Sequence, residues 1–518
     1  MHCVKQLWKV LAIIIIVQSC TPDKAMETHW PLGVKYEIFV QSFADGNGDG
    51  IGDLKGLTEK LDYVQDLGVN GIWLMPIMPS PSYHKYDVTD YQGIHPDYGT
   101  LDDFRVMVAE AHRRNIKVII DLVLNHTSKK HPWFLSACEG KNSPYRNYYV
   151  WANKDSIAEE ISKKTVTLDS DNITQWHAVN RDSLAEHYYG FFSNGMPDLN
   201  FDNPKVRNEF VTIAHFWLNE MKVDGFRFDA ARHIYPDDRA PDSHAFWLWY
   251  RKELEKIKPD VYLIGEVFSV DREEVVPYTH GLPSLFNFEM GKNMTDVILD
   301  GKDTLDIMSG FQEQLSFFHS VSPDFLDSPI LTNHDQNRIG SELGDHVEKA
   351  KLAAAMLLML PGAPYLYYGE ELGMLGMKPD EFIREPFPWG DETHTTTWIA
   401  ARYSTPEVVP TVQQQLEDEH SVLTHYKKLI AYRNSRAVLT KGNASPITGL
   451  PSEIVGLTRT FENDTLAVFH NVSDVEVTIN LKGEFKDFNS VSFSTHPSSI
   501  LENKVLTLAA YSTIVLAK

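Results

Sequence analysis

Three acidic residues each close an apolar run. Asp229 ends Gly225-Phe226-Arg227-Phe228-Asp229, Glu266 ends Val261–Glu266, and Asp335 ends Pro329–Asp335. Carboxyls brought together suit two jobs at once: one stays protonated and gives its proton, while another stays ionised and attacks. Read as a strand, Gly225–Asp229 points Phe226 and Phe228 one way and Arg227 and Asp229 the other. An Arg–Asp pair at a strand end is also an ordinary structural device, so its place in the fold has to decide. His126 and His334 stand near the same strand ends. A metal cluster is the alternative use of His with carboxylates, but no strand offers His at chelating spacing. Paired carboxyls with positioned His and Arg fit cleavage of a glycosidic bond better, with Arg227 expected to keep Asp229 ionised as the nucleophile.

Strands and helices must alternate to bring those ends together. Apolar strand runs are expected at Val34–Val40, Gly71–Ile77, Lys117–Val123, Gly225–Asp229, Val261–Glu266, Phe286–Phe288, Pro329–Asp335 and Tyr365–Tyr368. Amphipathic helices lie between them, the first capped by Asp53 and carrying Leu54, Leu57, Leu61, Val64 and Leu67 at helical spacing. Continuous apolar strands with helices between them predict a parallel sheet covered outside, and eight such strands predict a (β/α)8 TIM barrel. The acids then fall on strands four, five and seven, at the face where barrels carry their active sites. The rhythm breaks over 126–199, read as an inserted domain after strand 3. From about Thr440 short alternating runs predict a C-terminal antiparallel β-sandwich.

The chain has 518 residues, 48 Lys and Arg against 71 Asp and Glu, and a formal net charge of −23. That balance argues against nucleic acid as a partner and suits neutral or cationic ligands. Lys5 and Lys9 precede an apolar run, Val10–Val17, too short to span a bilayer. It ends at Val17-Gln18-Ser19-Cys20, which resembles a bacterial lipoprotein box and would make Cys20 a lipidated residue. With Cys20 acylated, Cys138 is left as an inert thiol. The run Asp45-Gly46-Asn47-Gly48-Asp49-Gly50-Ile51-Gly52-Asp53 spaces oxygen donors as a hard cation needs, so Asp45, Asn47, Asp49 and Asp53 are expected to hold Ca2+. Among the aromatic residues, Tyr149, Trp151, Trp176 and Trp389 are candidates to stack on sugar rings, against the commoner fate of core packing.

Asp121-Leu-Val-Leu-Asn125-His126, Gly225–Asp229, Gly265-Glu266-Val-Phe268 and Asn333-His334-Asp335 resemble, in order and spacing, the four signature regions of the α-amylase family of glycoside hydrolases. Met196-Pro197-Asp198-Leu199-Asn200 resembles its fifth region, in the form found between oligo-1,6-glucosidases and neopullulanases. The resemblance implies a retaining mechanism with Asp229 as nucleophile, Glu266 as acid/base and Asp335 holding the sugar hydroxyls. It implies substrate contacts at Tyr86, His126, Arg227 and His334, leaving-side contacts at Arg232 and His233, and a calcium loop in which Ile51 donates its carbonyl. A second calcium site at Asn125 and the inserted domain is a further possibility of that family.

The expected organisation is a signal peptide over 1–19, a tether over 20–33, barrel over 34–125 and 200–436, the inserted domain over 126–199 and the sandwich over 437–518. The expected protein is a monomeric, exported hydrolase of α-1,4-glucosidic bonds in starch and maltodextrins, lipid-anchored to the bacterial envelope at the outer membrane. Its α-glucan substrate could instead be cut as by an oligo-1,6-glucosidase, an α-glucosidase or a neopullulanase. A glycan-binding surface protein without catalysis is the remaining alternative.

Overall fold

The computed structural model describes residues 30–163, 175–179 and 186–518. The expected signal segment and Cys20 lie outside the described residues. Eight parallel strands form one sheet: β1 Lys35–Ile38, β2 Gly71–Leu74, β3 Lys117–Leu122, β4 Gly225–Phe228, β5 Tyr262–Gly265, β6 Ser284–Asn287, β7 Leu326–Pro329 and β8 Tyr365–Tyr367. Their order is β7-β6-β5-β4-β3-β2-β1-β8, and a bridge between Ile330 and Tyr365 closes the cylinder. The fold is the expected (β/α)8 barrel with an insertion after β3 and antiparallel sheets at the C-terminus.

Alternation along each strand sets what fills the barrel. Trp73, Ile119, Tyr262, Ile264, Phe286, Ile330 and Tyr365 form an apolar interior of their own, separate from the core under the helices. Phe228 points the other way, against Trp247 and Tyr250 of helix Ala240–Ile257. Gly225 is required at the start of β4, because a Cβ there would meet the Tyr262 carbonyl oxygen at 2.1 Å. The close approach of β4 to β5 allows no side chain at that point.

Most strands are shorter than expected or shifted by a residue or two, and the largest displacement is at β7. β7 ends at Pro329, so Asp335 stands on the following loop rather than at a strand end. Past Ile330 the chain leaves the ladder, and the Asn333 side chain accepts the Asp335 N–H at 2.9 Å, a local turn that competes with strand pairing. The first helix is also split, into Leu54–Glu59 and Leu61–Leu67, with Asp53 capping it through the Gly56 N–H as expected.

The insertion carries a small antiparallel sheet in which His187–Tyr189 pairs with Trp151–Ala152 and with Trp176–Ala178. Bridges from His126 to Asp198 and from Tyr149 to Leu199, with the Leu199 N–H donating to the Asn125 carbonyl, bring the two ends of the insertion together after β3. Residues 443–517 build a five-stranded and a three-stranded antiparallel sheet around Phe469, Ile514, Leu506 and Leu508. Arg459, fully buried, joins this domain to the barrel by donating to the carbonyls of Met359, Leu439 and Gly442.

Candidate active site

Glu37, Asp121 and Arg227 stand on β1, β3 and β4, and all three are fully buried. Asp121 and Arg227 are register partners, which brings their side chains together. Arg227 Nη1 donates to both Asp121 oxygens (3.0 and 2.9 Å) and to Asp229 Oδ1 (2.7 Å), while Nη2 donates to Glu266 Oε2 (2.8 Å). The guanidinium also lies 5.0 Å from the Trp73 ring centre. Asp229 and Glu266 each sit one residue past the end of their strands. Directly after Asp229, Ala230 adopts the left-handed conformation (φ 46°), unusual for a residue with a Cβ. That turn lets the Ala230 N–H donate to Glu266 Oε2 at 3.1 Å. The strained turn therefore joins the two acids a second time.

A second group surrounds His334. Its Nδ1 is 2.5 Å from Glu37 Oε1, and its Nε2 is 3.1 Å from Asp335 Oδ2 and 2.6 Å from the Tyr86 hydroxyl. Tyr86 also donates to Asp121 Oδ2 at 3.2 Å, which links the two groups. Lys85 takes a positive φ of 63° just before Tyr86. Arg384, on the segment after β8, donates from Nη2 to Asp335 Oδ1 at 2.9 Å and to Asp380 at 3.2 Å.

Burial and charge compete at each acid. Asp229 is pushed up to about 8, first by burial and then by the nearby Glu266, Asp121 and Asp335, against the opposing pull of Arg227. The expectation that Arg227 keeps Asp229 ionised is therefore corrected: one guanidinium shared by three carboxyls does not overcome desolvation. Burial likewise carries Asp121 up to about 6 despite Arg227. At Asp335 burial works upward too, but His334 and Arg384 win and hold this carboxyl well below its usual range. Burial would depress His334, yet Asp335 and Glu37 raise it to about 10. His126, buried against Phe192, is lowered to about 4 by desolvation and is neutral.

The remaining predicted residues lie around this centre. Arg232 is held at the rim by Asp237 (3.1 Å), Glu274 (3.4 Å) and the Phe268 carbonyl (3.2 Å), two residues beyond Glu266. His233 stacks on Phe191 at 4.0 Å. Asn125 Nδ2 itself contacts the His233 carbonyl and lies 3.5 Å from Asp198. Tyr149 and Trp389 are buried and present no face to a sugar, so their candidacy for stacking is overturned. Trp151 is half-buried beneath the Arg146 guanidinium, and Trp176 packs on Tyr189. Cys138 is a free, half-buried thiol.

The loop from Asp45 to Asp53 is separate from the acids. Asp45 accepts from the N–H groups of Asn47, Gly48 and Gly50, and Asp53 from those of Gly46 and Gly56. Asn47 and Asp49 accept from Asp49 and Ile51. Among the described residues no three His, Cys, Asp or Glu side chains form a metal cluster. By donor chemistry the loop still suits a hard cation, with the Ile51 carbonyl as a further oxygen. Burial raises the Asp53 carboxyl, and Asp45 and Asp49 raise it further, a repulsion that a dication would relieve.

Three buried residues of the site, Glu37, Asp121 and Arg384, were not among the expected site residues. Asp121 was visible only as part of a motif, and Glu37 only as one acid inside an apolar run. The one signal for Glu37 and Asp121 is an acidic residue inside a short run read as a buried strand.

A parallel barrel whose carboxyl-end face gathers paired acids around one buried guanidinium is suited to glycosidic cleavage, and the family match makes it a glycoside hydrolase. Residues 37–442 match the family of the alpha amylase catalytic domain, and residues 454–515 match the alpha-amylase SusG C-terminal domain. Alpha-amylase 3 of Dictyoglomus thermophilum is 42% identical over 510 residues, covering 98% of this chain and 97% of that one. The oligo-1,6-glucosidase of Parageobacillus thermoglucosidasius is 32% identical, covering 86% and 90%. The crystal structure of alpha-amylase from H. orenii matches with a TM-score of 0.83 at 43% identity, covering 94% of this chain and 99% of that one. The chain belongs to the alpha-amylase family.

The raised carboxyl at Asp229 sets a pH limit. The acids around Arg227 retain a proton below about pH 8 and lose it above, so a reaction that draws on that proton fails at higher pH. A plot of kcat/KM against pH is expected to fall with an alkaline midpoint near 8. Full activity persisting two units above that midpoint would show that the retained proton has no part in the reaction.

Proposed function

We propose that this protein is an exported α-amylase that cuts α-1,4-glucosidic bonds within starch and maltodextrin chains with retention at the anomeric carbon. The observation that carries the proposal is the bridging of Asp229 and Glu266 by one guanidinium. A single bridge keeps two carboxyls close. That favours the narrow spacing of direct attack, about 5 Å, over the wider one, about 6.5–9.5 Å, that leaves room for a water.

In the first step Asp229 attacks the anomeric carbon while Glu266 gives its proton to the glycosidic oxygen. The bond from carbon to that oxygen breaks, and the sugar is left as an ester of Asp229. Glu266, now a carboxylate, takes a proton from water, whose oxygen displaces Asp229 and restores both acids. The proton retained among the acids around Arg227 suits this sequence: moved to Glu266, it leaves Asp229 anionic. Asp335, ionised by His334 and Arg384, is suited to accept hydrogen bonds from sugar hydroxyls. Tyr86, His126 and His334 would line the subsite of the cleaved glucose, and Arg232 and His233 the leaving side.

The near full-length likeness to a protein named alpha-amylase supports the linkage assignment. The more distant oligo-1,6-glucosidase gives the rival reading a place in the test. Asp229→Asn is expected to lower kcat by about 10⁴-fold or more while the melting temperature stays nearly unchanged, since it removes the nucleophile and not its volume. Chromatography of the wild-type products from amylose, pullulan and isomaltose is expected to show internal cleavage of amylose and no attack on isomaltose. Glucose released from isomaltose would move the assignment to the 1,6-glucosidase type.

Calcium at Asp45, Asn47, Asp49, Asp53 and the Ile51 carbonyl is part of the same proposal. Bound to the folded chain alone, it would stabilise by mass action and lock the loop that follows β1. Treatment with EDTA is expected to lower the melting temperature, and calcium to restore it. An identical melting curve in chelator would remove the ion from the proposal.

Export rests on Lys5, Lys9, the apolar run and Cys20. Among the described residues no helix is long and apolar enough to cross a membrane, and an acylated Cys20 would attach the protein by its lipid. Cys20→Ala, expressed in the native envelope, is expected to release the protein from the membrane fraction. Retention there would point to an uncleaved anchor.

A further inference from the structure

Glu37 is a carboxyl group inside the barrel with no access to solvent; burial pushes it up, and His334 and Arg227 pull it back toward the carboxylate. A buried carboxylate is costly unless a cation or several donors meet it. Here Oε1 meets only His334 Nδ1, at 2.5 Å, and Oε2 has no partner. The other ring nitrogen of His334, Nε2, faces Asp335 Oδ2 at 3.1 Å and the Tyr86 hydroxyl at 2.6 Å.

A neutral imidazole carries a single N–H and cannot donate at both nitrogens. Two carboxylates on opposite sides of one ring therefore call for both nitrogens to be protonated. The ring's surroundings weigh on both sides. Asp121 from β3, with Glu37 and Asp335, favours the cation. Arg227 from β4 lies near enough to act on Glu37 and Asp335, and Arg384 donates to the His334 carbonyl; both work against it. Trp73 packs edge-on at 5.6 Å, and Tyr86 stacks at 5.5 Å, so the ring has no water to lean on. Without Glu37, the Nδ1 proton would lose its anionic partner. The tautomer with a bare Nε2 would then set a lone pair against the Asp335 carboxylate.

We propose that Glu37 is a positioning residue of this site: it holds His334 as an imidazolium, so that Nε2–H donates toward Asp335 and keeps that carboxylate ionised and aimed at the cleft. The inference deepens the reading of Asp335 as the group that engages the sugar, and rests on it. Glu37 touches no substrate in this account; it acts through His334.

Glu37→Gln tests the charge at nearly constant shape. Histidine labelled with 13C at the ε1 carbon reports each ring's ionisation, and His334→Asn identifies the signal. The wild-type His334 signal is expected to stay in the imidazolium form through neutrality, and in Glu37→Gln to titrate at least about one pH unit lower. On maltodextrin, kcat is expected to fall by about tenfold to a hundredfold with little change in KM. An unmoved titration, or a wild-type kcat, overturns the proposal.

If Glu37→Gln does not fold, Glu37→Asp serves. It keeps the charge but withdraws it by one methylene, so His334 should remain cationic while kcat falls, and a wild-type kcat in that variant overturns the proposal equally. Asp229→Asn, assayed in parallel, separates the two levels. Activity surviving there defeats the reading of the site. Its loss, together with an unmoved His334 titration in Glu37→Gln, defeats only the role of Glu37.

Discussion

A guanidinium with no exposed surface, placed at the top of the barrel interior, is the constraint on which the site depends. Arg227 cannot lose its proton, so the fold must surround it with acceptors or leave a buried charge uncompensated. Three strands meet that demand. β3 supplies Asp121 in register, β4 supplies Asp229 two residues on, and β5 supplies Glu266. Requirement and function coincide here: the carboxyls that make the buried arginine tolerable are those that are poised for chemistry. The left-handed turn at Ala230 adds a backbone donor to Glu266 and restricts its motion further.

The second group follows the same logic with a weaker base. His334 lies between Glu37 and Asp335, and the Tyr86 hydroxyl ties it to Asp121 and so to the arginine. Histidine differs from arginine in that its charge has to be induced, and burial works against it. Two anions on opposite nitrogens overcome that. Arg384 then completes the hold on Asp335 from the segment after β8, so the two oxygens of that carboxylate are fixed by different elements. Misplacing either element would swing Asp335 rather than merely weaken it.

Much of this was legible along the chain, for a local reason. Alternation within Gly225–Asp229 suffices to put Arg227 and Asp229 on one face and both phenylalanines on the other, and the structure has them so. Glu37 and Asp121 carried no comparable signal, because their partners arrive from other strands and the pairing exists only once the barrel closes. The end of β7 was misread for a related reason. An apolar run through Leu331 looks like a strand, but ladder partners, not hydrophobicity, decide where pairing stops, and Asn333 offers the backbone another bond. The ionisation of Asp229 was misjudged because nearness to Arg227 could be read from two residues, whereas the sharing of Arg227 among three carboxyls could not. Tyr149 and Trp389 show the limit for aromatic residues: their type fits sugar and core alike, and only burial tells the two apart.

The incomplete compensation around Arg227 has a consequence for rate. Five carboxyls, of Glu37, Asp121, Asp229, Glu266 and Asp335, share three cations, Arg227, His334 and Arg384. Three of those acids, Glu37, Asp121 and Asp229, are raised by burial, so the surplus is partly masked by bound protons. Cleavage of a glycosidic bond puts positive charge on the sugar ring as the bond breaks. A site neutralised completely by its own cations would meet that charge with nothing to spare, and would bind substrate and transition state alike. Catalysis needs interactions that strengthen only as the charge appears. Carboxyls packed tightly enough to repel one another, yet fixed by shared hydrogen bonds so that they cannot move apart, are in that condition. The positive charge of the breaking bond relieves a repulsion that the barrel has already built in.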